Sequence, residues 1–198
     1  MGRMRVYLKA NLMRRPSKED IASAKDKTVP DVLAKDLNVL FCGINPGLYS
    51  AAMGYHFGRP GNRFWKVIHL AGFTPRQLQP SQQAELLRFC LGITNLVPRA
   101  TATAGQLAPA ELMQGAAGLE KKVALYKPKF VAFLGLGAYR SAFGWKNAQV
   151  GLQTHQIGGS RVWLLPNPSG LNAYYQLNDL VGLYQNLVEA VSHLDYRQ

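Results

Sequence analysis

Acidic residues are scarce in this chain: 11 Asp and Glu stand against 23 Lys and Arg in 198 residues, a formal net charge of +12. So large a basic surplus makes nucleic acid the leading class of partner. Charge speaks to partners and not to fold, so a generally basic soluble enzyme stays open beside it. Cysteine is equally thin. Cys42 and Cys90 are too few for an iron–sulfur cluster or a four-thiolate zinc site. Both follow apolar or aromatic neighbours and are expected as small buried hydrophobes. The histidines, His56, His69, His155 and His193, are scattered without ligand spacing, so no metal and no cofactor is expected. No apolar run is long enough to cross a bilayer, and no strongly amphipathic basic helix suggests a membrane surface. The N-terminus has no apolar stretch of secretory length. A cytoplasmic protein is therefore expected, and with 47% hydrophobic and 17% charged residues it reads as globular.

Residues 1–30 form a basic segment ending at Pro30, with Arg3, Arg5, Lys9, Arg14, Arg15, Lys18, Lys25 and Lys27 against three acids. Ser17-Lys18-Glu19-Asp20 suits the cap of a short helix. The segment reads as a mobile or loosely docked extension that follows DNA phosphates, or else as a ragged terminus. Residues 31–198 read as one domain. Short apolar runs at 37–44, 91–96, 129–135 and 161–165 are bounded by turn residues, as buried strands are. Helices are expected at 64–70 behind Asn62, 81–89, 111–126, 137–143 and 177–194, with an edge strand at 152–157. This alternation implies an α/β fold: a central, mainly parallel sheet flanked by helices on both faces.

Two strands end abruptly. Leu37–Cys42 runs into Gly43-Ile44-Asn45-Pro46-Gly47, and Val162–Leu165 runs into Pro166-Asn167-Pro168-Ser169-Gly170. In open α/β sheets ligands bind at the carboxyl ends of strands, so these rigid turns suggest two loops facing one cleft. Asn45 cannot act as a base near neutral pH, but its amide can hold a water in line with an electrophile. That suits a reaction whose transition state is already positive at carbon. The plainer reading is a tight loop with Asn45 bonded to its own backbone. The segment Gly54–Trp65 interleaves glycines, aromatics, Arg59 and Arg63. Aromatic faces can stack on a planar base and arginines can take phosphates. Phe64 and Trp65 suit the core, and Phe57 suits the stacking role.

GINPG, then GYHFGRPGNRFWK, then NPSGLN, in this order from about Pro30 to about Tyr184, resemble the mismatch-specific uracil-DNA glycosylases and the related thymine-DNA glycosylases. The resemblance implies an α/β glycosylase fold and an enzyme of base excision repair. It would flip uracil, preferably opposite guanine, out of double-stranded DNA and hydrolyse the N-glycosidic bond to leave an abasic site. By the same resemblance Asn45 would orient the attacking water and Phe57 would stack on the base. Ile44 and nearby main-chain groups would bond the pyrimidine edge, with Ser50 close to it. Leu171 would be the wedge left in the stack, Gly170 and Asn172 would address the widowed guanine, and Asn167 and Ser169 would shape the loop.

Some relatives carry arginine where this chain has Ala173, for which Tyr174 or Tyr175 could compensate, and lysine where it has Asn95. Asn95 is either a second polar group at the base or a strand-end bond. No motif provides a lysine nucleophile, so base removal without strand cleavage is expected, by a monomer. A mismatch- or damage-binding module without catalysis is the alternative. A nucleotide enzyme using Gly135-Leu136-Gly137 is weaker, because the third glycine and the P-loop lysine are missing.

Overall fold

The computed structural model describes residues 15–195. Five strands make one sheet in the order β2-β1-β3-β5-β4: β1 (Val39–Gly43), β2 (Leu91–Asn95), β3 (Phe130–Leu134), β4 (Gly151–Ile157) and β5 (Ser160–Leu165). The first three and β5 run parallel, and β4 lies antiparallel on the edge. The apolar runs are continuous because the inner strands are covered on both faces, and every residue of β1, β2 and β3 is buried. Side chains alternate cleanly between the layers. Val39 and Phe41 join a core closed by α3 (Phe64–Leu70) and α6 (Leu177–Asp195). Leu40 and Cys42 join a second core closed by α4 (Pro109–Tyr126) and α5 (Leu136–Phe143). Burying each large aliphatic or aromatic side chain there contributes about 1.5–3 kcal/mol.

The chain turns from β4 to β5 through Gly158 and Gly159, both at positive φ (53° and 88°), as a two-residue hairpin needs. The residues 80–89 differ from expectation, forming a 3-10 helix and not an α-helix. Only Leu86 of that stretch is buried, so no apolar face of α-helical period fixes it to the core. A short helix α2 (Leu48–Met53), unforeseen in the sequence, follows the first motif directly and stops at Gly54 in the left-handed region. Cys42 is buried as expected, but Cys90 is exposed, because it ends the 3-10 helix at φ 54° on the surface side of the turn.

The basic N-terminal segment is docked where it is described. A capping box between Ser17 and Asp20 starts α1 (Lys18–Ala22). Ala24 and Val29 then bury against Ala51 and Ala100. Backbone bonds join Asp26 N–H to the Ala100 carbonyl and Ala100 N–H to the Lys27 carbonyl. Arg3, Arg5, Lys9 and Arg14 lie outside the described residues. Among the described residues no helix is long and apolar enough to cross a membrane.

Candidate active site

The chain returns past β1 to build β2 on one side and β3 on the other, so β1 is the switch point where α/β folds open a crevice. A pocket of about 260 Å³ lies there. It gathers Ile44 and Asn45 after β1, Asn95 at the end of β2, Phe57, Ser50 and Thr101. Asn167, Ser169 and Leu171 from the loop after β5 close its rim. The two abrupt strand ends thus face one cleft.

Asn45 does not bond its own backbone. Its Nδ2 donates to the Arg99 carbonyl at 3.0 Å and to Thr101 Oγ1 at 2.7 Å. The Thr101 hydroxyl in turn donates to the Thr103 carbonyl at 2.8 Å, which leaves its oxygen to accept from Asn45. With both amide hydrogens turned into the protein, Oδ1 is the Asn45 atom left to receive a hydrogen bond from a ligand or water. Arg99 is braced behind it by ion pairs to Glu111 (2.6 Å) and Asp26 (3.2 Å). The Arg99 side-chain hydrogen bonds hold the Glu111 carboxyl down at about 2. Thr101 and Arg99 carry no motif that marks them in the sequence; only the fold of the loop after β2 brings them to Asn45.

Asn95 is a pocket residue and also a bonded one. Its Nδ2 lies 3.2 Å from His56 Nδ1, and His56 Nε2 lies 3.0 Å from the Pro30 carbonyl. Its Oδ1 rests on Gly43, where an added Cβ would come within 2.5 Å. Burial pushes the His56 imidazolium pKa down, against the opposing pull of the Pro30 carbonyl.

Phe57 stands at φ 52°, a conformation that costs a bulky L residue about 1–2 kcal/mol and needs support from its surroundings. The support is visible. One ring face stacks on Phe64, centroids 4.1 Å apart. The next residue, Gly58, donates its N–H to the buried Ser50 Oγ at 3.0 Å. Ser50 therefore borders the pocket and also ties the loop that presents Phe57. Ile44 packs against Gly135, where a Cβ would touch its Cδ1 at 3.0 Å, and gives its carbonyl to Val97 N–H at 2.9 Å. The glycine of Gly135-Leu136-Gly137 thus serves this close approach.

The loop after β5 spends its polar groups on its own shape. Asn167 Oδ1 accepts from Ser169 N–H at 2.9 Å, and Asn172 Nδ2 donates to the Asn167 carbonyl at 3.0 Å. Gly170 presses on Gly61, whose carbonyl would lie 2.5 Å from an added Cβ. Leu171 is left at the tip, 71% exposed. Arg63, expected as a phosphate ligand, is instead the clamp of this loop. Its guanidinium donates to the carbonyls of Pro168, Ser169, Asn172 and Tyr175 at 2.6–3.3 Å. A guanidinium surrounded by four carbonyl acceptors has few donors left for a phosphate. Arg15, Arg59 and Lys66 line an adjoining groove of about 550 Å³ that shares Phe57 with the pocket. Among the described residues, no lysine, aspartate or glutamate lines the pocket itself.

The molecule is thus a five-stranded α/β protein with a small pocket at its switch point, lined by Asn45 and Asn95 and edged by the exposed Leu171. The family model described as the uracil DNA glycosylase superfamily matches residues 30–190, and the chain belongs to that superfamily. Its fold is similar to a solution NMR structure described as "a putative Uracil DNA glycosylase" from Methanosarcina acetivorans. The TM-score is 0.55 at 20% identity, over 82% of this chain and 98% of that one.

Proposed function

We propose that the chain is a monofunctional DNA glycosylase that removes uracil, preferably opposite guanine, from double-stranded DNA. Superfamily membership supports the chemistry, hydrolysis of a base–sugar bond. The observation that carries the reading is the locked amide of Asn45, whose two hydrogens are held by Arg99 and Thr101. Its Oδ1 accepts a hydrogen bond from water and holds that water on line with the sugar carbon. As the glycosidic bond lengthens, positive charge grows on the sugar and the base leaves as an anion. A weak but well-placed nucleophile is then enough, and the pocket needs no carboxylate to activate it. The absence of a carboxylate predicts slow turnover.

The flipped base stacks on the open face of Phe57, opposite Phe64. Leu171 fills the gap it leaves, offsetting part of a flipping cost of a few kcal/mol, which is lowest for a mispaired base. Arg15, Arg59 and Lys66 follow the phosphates of the strand, with the basic N-terminal segment extending that contact and a monomer as the acting unit. Among the described residues no pocket lysine is available to form a Schiff base, so the product is an intact strand with an abasic site.

A duplex with one uracil opposite guanine, incubated with the protein and then treated with alkali, should break at that position. A pocket empty of carboxylates also fits a module that binds mismatches without cutting. Under single-turnover conditions an enzyme gives one equivalent of product and such a binder gives none.

A further inference from the structure

The superfamily match begins at residue 30, yet the chain just before it is built into the support of the active site. Residues 99–101 hold Asn45, and their bonds alternate between two neighbours. The Arg99 carbonyl and Thr101 Oγ1 accept from the Asn45 amide at 3.0 and 2.7 Å. Thr101 N–H donates to the Pro46 carbonyl at 3.2 Å. Ala100, between them, faces the other way. Its N–H donates to the Lys27 carbonyl at 2.8 Å, and its carbonyl accepts from Asp26 N–H at 3.0 Å. Both backbone groups of the residue between the two partners of Asn45 are thus held by a strap upstream of the matched domain. Ala100 is fully buried, in a small cluster with Ala24 and Val29 of the strap and Ala51 of α2. This cluster is separate from the two cores on the faces of the sheet. The strap is shaped to the loop. Lys27 N–H closes a turn on the Ala24 carbonyl at 3.1 Å, and Asp26 stands at φ 62°. A left-handed aspartate needs support from its surroundings, and here its N–H goes to Ala100 and its carboxylate to Arg99 at 3.2 Å. That ion pair is largely solvated and contributes little, so the backbone bonds and the buried cluster carry the contact.

We propose that residues 24–29 are a positioning element of the catalytic site: docked on Ala100, they keep the Arg99 carbonyl and the Thr101 hydroxyl in register with Asn45 and so aim its Oδ1 at the attacking water. The two amide hydrogens have two acceptors, and both acceptors sit on the loop that the strap pins. None of residues 24–29 lines the pocket, so the strap acts only through that loop. A displacement of about 1 Å in an orienting group can cost about 100-fold in rate, so a loop freed on one side is enough to slow the chemistry. The catalytic unit of this chain therefore extends upstream of the superfamily domain. This inference rests on the glycosylase reading, since it takes the task of Asn45 to be holding the water.

The experiment uses the full chain carrying Ala24→Glu or Val29→Glu. Each puts a charge into the small cluster and leaves both main cores untouched. Ala24→Gly, which adds no bulk, is the control. The single-turnover rate on a uracil–guanine duplex, at saturating protein, should fall about 10- to 100-fold in both Glu variants and stay close to wild type in the control. Affinity for a duplex whose uridine carries a cleavage-resistant 2′-fluoro-arabino sugar should stay within about threefold, because no contact to the base is lost. In the same proteins, amide hydrogen exchange followed by NMR should show Ala100 N–H protected in the wild type and freed in both Glu variants. Phe41 and Val131 in the central sheet should stay protected throughout. The proposal requires slower cleavage and faster Ala100 exchange together. Either change alone, neither change in both variants, or an affinity that falls as far as the rate overturns it. An Ala100 amide that exchanges freely in the wild type overturns it without any variant. A wild-type protein that makes no abasic sites on uracil-containing DNA would instead fail the glycosylase reading, and the exchange data would still report whether the strap pins the loop.

Discussion

The guanidinium of Arg63 donates to the carbonyl of Asn172 at 2.9 Å across 109 positions of sequence. With its bonds to Pro168, Ser169 and Tyr175, this makes one side chain at the start of α3 the anchor of the whole leucine-bearing turn. Arg63→Met keeps the aliphatic stem but leaves four carbonyls without their donor. Leaving buried acceptors unsatisfied costs about 1–3 kcal/mol each, less where water can enter. The expected result is a single-turnover rate on duplex uracil–guanine DNA about 10- to 100-fold lower, with a much smaller loss on single-stranded DNA, where no wedge is needed. Equal losses on the two substrates would show that Arg63 does not act through the turn.

The 2.7 Å bond from Asn45 Nδ2 to Thr101 Oγ1 makes a second variant informative. Thr101→Val keeps the shape and removes the acceptor, so the amide loses half of its anchoring. We expect kcat to fall about tenfold with KM nearly unchanged, because one hydrogen bond of orientation is lost and no contact to the base. Asn45→Ala should lower turnover far more while leaving mismatch binding nearly intact, as read by steady-state kinetics and gel shift. A collapse of binding in Asn45→Ala would assign that residue to the fold alone.

Gly43→Ala would place a methyl group 2.5 Å from Asn95 Oδ1. The amide has His56 behind it, so it has little room to retreat, and the same methyl would stand 3.4 Å from Phe57 Cζ. Overpacking of this kind costs about 1–3 kcal/mol, so a lower Tm is expected together with weaker binding of uracil-containing DNA. Unchanged values of both would mean that the pocket floor is softer than its contacts suggest.

Glu111 titrates at about 2, chiefly because Arg99 donates to it and secondly because the Ala108 N–H does. Its carboxyl is less easily protonated in the folded state, so its contribution to stability is fully present above the ordinary carboxylate value and is lost as pH falls towards about 2. The difference in Tm between wild type and Glu111→Gln should be constant above about pH 5 and shrink below about pH 4. The pair is partly solvated, so the difference will be small. A difference that grows on acidification would contradict this sign.

The sheet was legible because every inner strand is a compact apolar run stopped by turn residues. The mainly parallel character of the sheet follows from alternation of strands and helices, whereas the strand order does not, and Asn45 stands out because a strand hands it to the open end of the sheet. What escaped sequence reasoning is contact at long range. Arg63 looks like any basic residue in a glycine-rich loop, and four backbone carbonyls leave no trace in side-chain patterns. The Arg99–Thr101 support of Asn45 lies 54 and 56 positions away and depends on how the loop after β2 folds back. The stretch 80–89 has capped, polar, helix-like composition, but its period does not distinguish α from 3-10 when only Leu86 is buried. Cys90 departs from the burial its apolar neighbours predict because the backbone turns outwards at that residue.

The left-handed backbone of Phe57 has a thermodynamic corollary. Its ring is pinned against Phe64 before any nucleotide arrives. Conformational entropy that a mobile aromatic would surrender at each encounter has been given up once, during folding. Heat or mild denaturant that loosens the bond from Gly58 to Ser50 should therefore abolish base capture while the central sheet is still intact.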